Sequence, residues 1–359
     1  MPLKFGVFGI DVSLDPDWIP VWREWWQKRQ ADDALNYSAT FATTNYPDEV
    51  VNLISIRLKT ELLEAPYTLL IDYTADPTLT LGTFVNKGRF YLPGELAVLR
   101  EQQIERRRAA GKLKKGDQPA LRVADVSKTE KGIVYLVEEA TYYDQVGSNL
   151  SLDATLPVGI GVVPATTGSA RAWDIAQSGS GKHLPSLSAS RLSNTLGVAV
   201  GIRATDRSGR VGVIARRRGP NVDVYPNMWH VPFSFALSFM PPLPKQGELA
   251  SLVNFDYAKE LAEETKLEYG EITSVYPVAL CRDLVRGGKP QLFFEMTTSL
   301  NFEELKLRLT HAGGDEFNGP LELIELDRKP ELAGGPLSPE LLAHIVLSAA
   351  RCAASQETP

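Results

Sequence analysis

The spacing of apolar and polar positions predicts a chain that mixes strands and helices. Short alternating or continuous apolar stretches rich in Val, Ile, Tyr and Phe are typical of strands. Apolar residues that return every three or four positions are typical of helices that bury one face. Strands are expected at 4–12, 67–73, 121–126, 132–142, 196–203, 210–217, 272–283, 291–298 and 321–326. Helices are expected at 16–29, 47–63, 93–110, 302–309 and 338–352, and a further helix carries residues 259–264.

The order of these elements predicts a protein of the α/β and α+β classes with two domains. The chain has 359 residues, which is long enough to form two hydrophobic cores. An N-terminal α/β domain, to which the sequence assigns no role, is expected at 1–145. Residues 146–187 are rich in Gly, Ser, Thr and Ala and are expected to connect it to a second domain at 188–354.

Composition narrows the classes of partner and the compartment. The formal net charge is −6, which argues against an extended nucleic-acid surface. No apolar run is long enough for a transmembrane helix, and the N-terminus lacks the layout of a signal peptide, so no membrane partner is expected. The two cysteines lie far apart in sequence, which indicates a reducing compartment, and we expect a cytoplasmic protein. The oligomeric state is left open, with a homodimer as one possibility.

The most informative segment is Lys259-Glu260-Leu261-Ala262-Glu263-Glu264. Its three glutamates stand at i, i+3 and i+4, so on a helix they span about 100° of arc. The opposite face holds the apolar residues Ala258, Leu261 and Ala262. Carboxylates grouped on one face are the oxygen ligands that Mg²⁺ and Mn²⁺ prefer. Taken alone, such a face is also typical of a solvated helix surface.

The residues around this segment resemble the Nudix hydrolase family. Lys259 to Leu267 is similar to the second half of the family's box, with Lys259 at its Arg and Lys266 at its late Gly. Gly247-Glu248 resembles the Gly-Glu before the helix, although ten residues rather than seven separate Glu248 from Lys259. The family's Pro-Gly-Gly appears here as Pro232-Phe233-Ser234, so the loop that holds substrate phosphates is altered.

This resemblance implies a C-terminal Nudix-like α/β/α sandwich with a mixed sheet. It also implies a pyrophosphohydrolase that uses Mg²⁺ or Mn²⁺ to cleave a nucleoside-diphosphate-linked compound, so that its partner is a nucleotide-type small molecule. The alternative is a catalytically weak or inactive Nudix-fold module that binds or senses a nucleotide. The three glutamates are retained whereas the phosphate loop is altered, and the sequence therefore leaves both functions open.

The resemblance also assigns roles to individual residues. The expected metal ligands are Glu260, Glu263 and Glu264, and the expected catalytic residues are Glu263, Glu264 and Glu316, with Asp315 as an alternative to Glu316. The expected substrate-binding residues are Arg216, Trp229 and Lys259. Three of these residues have a plainer interpretation: Arg216 as part of a charged hairpin edge, Trp229 as core, and Glu316 as part of a hydrophilic turn.

Other chemistries find little support in the sequence. The four histidines are scattered and only two cysteines are present, so no zinc site has credible ligand spacing. No Gly-x-Ser-x-Gly elbow or Cys–His signature indicates covalent hydrolysis. The tryptophans of the predicted helix 16–29 would suit base stacking and the basic residues at 106–108 would suit phosphates or a partner, but packing and a solvated helix end are the favoured explanations.

Overall fold

The computed structural model describes residues 37–356, except 60, 77, 114–115, 157–167, 241, 313–315, 331 and 333–334. The strand predicted at 4–12 and the tryptophan-bearing helix predicted at 16–29 lie outside the described residues. Within the described part, the protein is a mixed α/β structure with two sheets. None of the described helices has the length and apolar character that a bilayer span requires.

The described chain forms seven α-helices and thirteen strands. The helices are α1 Tyr37–Asn45, α2 Gly94–Ala109, α3 Tyr142–Val146, α4 Ala170–Ser178, α5 Leu249–Glu264, α6 Phe302–Thr310 and α7 Pro339–Gln356. The strands are β1 Leu53–Leu58, β2 Glu61–Asp72, β3 Thr83–Arg89, β4 Pro119–Thr129, β5 Gly132–Thr141, β6 Gly197–Thr205, β7 Val211–Arg218, β8 Trp229–His230, β9 Phe233–Ala236, β10 Gln246–Glu248, β11 Ile272–Asp283, β12 Lys289–Thr298 and β13 Phe317–Glu325.

The larger sheet has nine strands and is mixed. Its main path runs β1-β2-β11-β12-β6-β7-β13, with β8 paired to β7 and β9 paired to β6. β12 and β6 run parallel, whereas the other described pairs of this sheet are antiparallel. The smaller sheet has four strands in the order β10-β3-β5-β4.

Helices cover both faces of the larger sheet, as the α/β/α prediction requires. Along β6, Val198 and Val200 belong to the hydrophobic cluster that contains the apolar residues of α5 and α6. Ala199, between them, belongs to the cluster that contains the apolar residues of α7. Because successive side chains of a strand point to opposite faces, a strand covered on both sides needs a continuous apolar run. This explains why the sequence of β6 is apolar without alternation.

Each of the two sheets contains strands from both regions of the chain. β1 and β2 come from the range predicted as an N-terminal domain, yet β2 pairs with β11 in the larger sheet. β10 comes from the later range, yet it pairs with β3 in the smaller sheet. The two sheets also share one hydrophobic cluster, in which Phe84 and Val137 pack with residues of α5. Residues before 145 and after 188 therefore both contribute to each sheet.

The prediction of a helix at 47–63 is wrong. Residues Pro47–Asn52 form a short 3-10 helix, after which β1 and β2 form an antiparallel hairpin. Leu53–Leu58 is rich in leucine and isoleucine, and its pairing with β2 satisfies backbone groups that a helix would have satisfied locally. The range predicted as a connection contains α4, and Ser148, Asn149 and Ser151 within it are buried.

The feature that positions the candidate site is a split in the larger sheet. β6 and β7 pair only next to their hairpin turn, where Arg203–Thr205 meets Val211–Val213. Beyond that point β6 pairs with β9 and β7 pairs with β8, so the two strands diverge. A cavity lies where they separate, and residues of β7, β8, β9 and β12 line it.

Candidate functional site

The cavity has a volume of about 920 Å³ and is bounded by both regions of the chain. Its walls come from the diverging strands of the larger sheet, the second half of α5, the first turn of α7 and the loop 221–224. Tyr142 of α3 contributes a wall from the earlier region, and its hydroxyl donates a 3.0 Å hydrogen bond to Asp223 Oδ2 in that loop. Arg107 of α2 forms an ion pair with the same carboxylate, so the loop is attached to the earlier region.

Three carboxylates form one wall of the cavity. Glu260 and Glu264 come from α5, and Glu316 comes from the residue just before β13. Glu264 is only 8% exposed, and its Oε2 is buried without a hydrogen-bond partner among the described residues. Burial raises the pKa of Glu264 well above its usual value, and the nearby Glu316 and Glu260 carboxylates raise it further. A buried acceptor of this kind is costly unless something neutralises it.

The phase of α5 explains which glutamates reach this wall. Val253, Tyr257 and Leu261 are buried in the core at four-residue intervals. Glu264 follows Leu261 by three positions and so lies beside this buried stripe. Glu263 follows Leu261 by two positions, and its side chain is exposed and does not line the cavity. Ala262, which we expected on the buried face, is also exposed, so that face is centred on Leu261.

The structure places Arg216 outside the cavity, in the protein interior. Its guanidinium donates to the carbonyl oxygens of Glu264 at 2.8 Å and Leu309 at 2.6 Å, and also to that of Ala312. Burial lowers the pKa of Arg216 to about 10, with the Glu264 carboxylate opposing the change. Arg216 thus joins the end of α5 to the end of α6 and packs over the Phe317 ring.

Arg218, two positions along the same strand, is the basic residue of β7 that reaches the cavity. Residues i and i+2 share a face of a strand, so Arg218 points to the same side as Arg216 but nearer its end. Its Nη2 lies 3.5 Å from Glu316 Oε2. The run Arg216-Arg217-Arg218 therefore correctly indicates that the end of β7 carries a basic residue at the cavity. Which arginine reaches the cavity depends on how far β7 is buried.

The remaining predicted residues divide between the cavity and the core. Lys259 lines the cavity, with 59% of its side chain exposed and its Nζ 3.7 Å from Glu260 Oε1. Trp229 is 1% exposed and packs in the hydrophobic cluster on the α7 side of the sheet. Glu248, matched to the family's box, is an exposed residue that pairs with Thr83 in the smaller sheet. Asp315 lies outside the described residues.

The end of the cavity at β8 and the first turn of α7 contains buried polar residues that the sequence analysis did not identify. His230 Nε2 lies 3.1 Å from Ser234 Oγ and 3.1 Å from Glu340 Oε2. Burial lowers the pKa of His230, and the Glu340 carboxylate only partly opposes this. Arg286 donates from its Nη2 to Glu340 Oε1, and from its Nε to the Asp283 carboxylate at 2.6 Å. These contacts fix four polar side chains that line this end of the cavity: His230, Ser234, Arg286 and Glu340. Asp283 supports them from behind the cavity lining.

Lys289 and Gln291, at the start of β12, complete this buried end. Lys289 is 2% exposed, and its Nζ donates a 3.3 Å hydrogen bond to Gln291 Oε1. Burial lowers the pKa of Lys289 to about 7, and the Arg286 guanidinium lowers it further, whereas the Glu340 and Asp283 carboxylates oppose the change. The sequence shows Lys289 only as part of a polar turn and Gln291 only as the start of a predicted strand, which gives no sign that they would be buried.

The three carboxylates do not form a ready-made metal site. Within the described part of the chain, no three His, Cys, Asp or Glu side chains converge closely enough to hold an ion. Glu264 Oε2 is nevertheless buried without a hydrogen-bond partner among the described residues, in a side chain that lines the cavity. Glu260 and Glu316 are partly exposed on the same wall. Oxygen donors of this type fit Mg²⁺ or Mn²⁺, provided that the two exposed side chains turn toward Glu264.

Comparisons with known proteins give weak similarities. No protein-family model matches the sequence, and no curated protein matches it significantly. The structure is partly similar to a Nudix hydrolase from M. smegmatis, RenU, at 13% identity and a TM-score of 0.25, over 46% of this chain and 86% of RenU.

Two further solved structures show similarity of the same order. A MutT/nudix family protein from Enterococcus faecalis has 13% identity and a TM-score of 0.28, over 46% of this chain and 64% of its own. NrtR from Shewanella oneidensis has 15% identity and a TM-score of 0.27, over 45% and 64%. Values this low establish neither a shared fold nor an activity.

Proposed function

We propose that the protein is a metal-dependent hydrolase of a nucleoside-diphosphate-linked compound, of the Nudix type, and that the cavity is its active site. The observation that carries this proposal is the buried, unpartnered carboxylate oxygen of Glu264, which faces a large cavity next to Glu260 and Glu316. The resemblance of 259–267 to the second half of the Nudix box supports Glu260 and Glu264 independently of the structure.

Electrostatics favours a divalent cation at this wall. Burial is the main cause of the raised Glu264 pKa, and repulsion by the Glu316 and Glu260 carboxylates adds to it, so a bound cation would offset both effects. When bound, Mg²⁺ or Mn²⁺ would screen the phosphate charge and acidify a water molecule for attack on the diphosphate. Glu264 would be the principal ligand. Glu260 lies one helical turn before it on α5, and Glu316 approaches it from the residue just before β13.

The rest of the cavity suits the other parts of such a substrate. Arg218 lies beside Glu316, and Lys259 lies beside Glu260, so positive charge is available next to the carboxylates for the phosphate oxygens. Tyr142, Phe235 and Phe239 supply aromatic surface on which a base can pack. These cavity-facing side chains replace Arg216 and Trp229 as substrate-contacting residues in this proposal, because both of the latter are buried outside the cavity.

The test is a hydrolysis assay with dinucleotides, nucleotide sugars and nucleoside triphosphates in the presence of Mg²⁺ or Mn²⁺. We expect turnover of at least one compound, lost on chelation, and reduced by a factor of 100 or more, on the order of 3 kcal/mol, in Glu264→Gln. Glu130→Gln, in the exposed turn between β4 and β5, is the matched control and keeps full activity.

Glu263→Gln separates the sequence expectation from the structure-based proposal. If the cavity wall alone holds the metal, this variant retains most of the activity, because the Glu263 side chain is exposed away from the cavity. Loss of turnover in Glu263→Gln with retention in Glu264→Gln would reject the site proposed here. Ligand-induced thermal stabilisation without any turnover would contradict hydrolysis and identify a binding module instead.

A further inference from the structure

The buried end of the cavity contains a cation without a carboxylate of its own. Among the residues that the structure describes, Lys289 Nζ makes one hydrogen bond, to Gln291 Oε1, although an ammonium group has three N–H donors. No carboxylate in the described part of the chain lies within 4.0 Å of that nitrogen, which is the salt-bridge limit. The two carboxylates that act electrostatically on Lys289, Asp283 and Glu340, are both paired with Arg286. A buried cation that is not paired in this way is costly unless a ligand supplies the counter-charge.

The neighbouring strand leaves space for these two side chains. Gly197 of β6 stands beside Gln291 in the parallel ladder. A Cβ atom at position 197 would overlap both Gln291 Oε1 and Lys289 Nζ. Gly197 has no left-handed backbone conformation to explain a glycine there, so the space itself is what this position provides. Ala236, its partner on β9, is also small and lines the cavity.

We propose that Lys289 and Gln291 form an anion-binding subsite that takes a phosphomonoester group of the ligand. Within the described residues, two of the three Lys289 donors are uncommitted and Gln291 Nε2 makes no hydrogen bond, so two neighbouring side chains that line the cavity both have donors left for a ligand. A lysine ammonium is a common phosphate-binding group, and a tetrahedral anion can accept from several donors at once. This subsite deepens the proposed function, on which it rests: the substrate carries a further phosphate beyond its diphosphate bridge.

Binding at this subsite is linked to protonation of Lys289. In the absence of a ligand, burial and the Arg286 guanidinium favour the neutral amine above pH 7, against the opposing Asp283 and Glu340 carboxylates. His230, also at this end of the cavity, is held neutral by burial. A bound dianion favours the ammonium form, so binding above pH 7 takes up a proton and weakens about tenfold for each further pH unit.

The experiment uses sulfate, a tetrahedral dianion that does not itself titrate at these pH values. Calorimetric titration of the metal-free protein (residues 1–359) at pH 8 in two buffers of different ionisation enthalpy measures affinity and proton uptake together, with chloride at matched ionic strength as reference. We expect saturable binding with an uptake approaching one proton. Lys289→Met and Gly197→Ala should each weaken binding at least tenfold, whereas the controls Lys131→Met and Gly270→Ala, both at exposed positions, should not.

Each outcome decides the proposal. No saturable sulfate binding, or binding that survives Lys289→Met, overturns it, and so does binding without proton uptake. Acetate that binds as well as sulfate overturns the phosphate assignment and indicates a carboxylate site. Because this assay needs neither metal nor turnover, its result is separate from that of the hydrolysis test: Glu264→Gln should reduce turnover by the factor given above yet keep sulfate binding.

Discussion

Replacement of Lys289 by methionine should stabilise the protein. Lysine and methionine have similar length, so the substitution removes the ammonium group while keeping most of the packing. Burial holds the pKa of Lys289 near 7, compared with a usual value of 10.5. Below pH 7 the folded protein must therefore carry a buried ammonium that the unfolded chain holds in water.

The size of the effect follows from this difference. The fall in pKa from 10.5 to about 7 corresponds to about 5 kcal/mol of unfavourable free energy at pH 6, as an upper limit. The substitution also removes the hydrogen bond to Gln291 Oε1, a loss of about 1 kcal/mol. We expect Lys289→Met to raise the free energy of unfolding by about 2–4 kcal/mol at pH 6–7, in the range found when buried charges are replaced by apolar residues.

The pH dependence gives the sign an independent check. Between pH 7 and 10.5 the unfolded chain binds a proton at this position that the folded protein does not, so this group makes wild-type stability rise with pH. The advantage of Lys289→Met should therefore shrink by about 1.4 kcal/mol for each pH unit above 7. Urea unfolding of both proteins, followed by circular dichroism from pH 6 to 9.5, measures this difference. Parallel curves, or a destabilised variant at pH 6, would refute the reasoning.

Three further predictions follow from the candidate site and its surroundings. In metal-free protein at pH 7–8, Glu264→Gln should raise the free energy of unfolding on the order of 1 kcal/mol. Because the pKa of Glu264 is raised in the folded protein, wild-type stability should fall as pH rises above the usual carboxyl range, and the variant should not show this fall. Differential scanning calorimetry across pH measures both effects. Arg216→Met should lower the free energy of unfolding by about 3–5 kcal/mol in urea titrations, because three buried carbonyl oxygens lose their donor, and a change below about 1 kcal/mol would contradict that role. Gly201→Ala should cost about 2 kcal/mol or more by the same assay, because its Cβ would overlap the His344 ring, whereas Gly270→Ala, with open space around it, should change stability by less than about 0.5 kcal/mol; equal effects of the two would refute the packing argument.

Local periodicity was sufficient to predict most elements of the larger sheet. The strands expected at 272–283 and 291–298 correspond to β11 Ile272–Asp283 and β12 Lys289–Thr298, and the helix expected at 302–309 is α6 Phe302–Thr310. The helix expected at 338–352 begins as predicted, since Ser338 Oγ accepts the Leu341 N–H at 3.1 Å. These segments have strong periods that agree with their burial in the fold.

The failure at 47–63 has a different origin. Apolar residues there fit helical spacing as well as strand spacing, and the choice is decided by pairing with β2 and by packing against α7. Both contacts are made with other segments, and a local pattern carries no information about them. For the same reason, the sequence could not predict that each sheet would contain strands from both regions of the chain.

The candidate site was predictable where it lies on one helix. Glu260 and Glu264 follow from the box-like segment, and the buried series Val253, Tyr257 and Leu261 could also have shown that Glu263 turns away. The other end of the cavity combines residues from separate segments of the chain, brought together by the sheet order. No spacing rule connects His230 of β8, Lys289 of β12 and Glu340 of α7, so this end of the cavity could be identified only from the three-dimensional structure.

The pairing of β2 with β11 also has a consequence for how the polypeptide is made. Asp72 pairs with Ala279, so about 200 residues must be synthesised after β2 before its partner exists. At ~5–20 residues per second, the β1–β2 hairpin waits about 10 to 40 seconds on the ribosome with an unpaired edge. Such an edge is open to association with other nascent chains. We therefore expect expression of the intact chain to depend on chaperones that bind early segments, and fragments that start after residue 188 to aggregate.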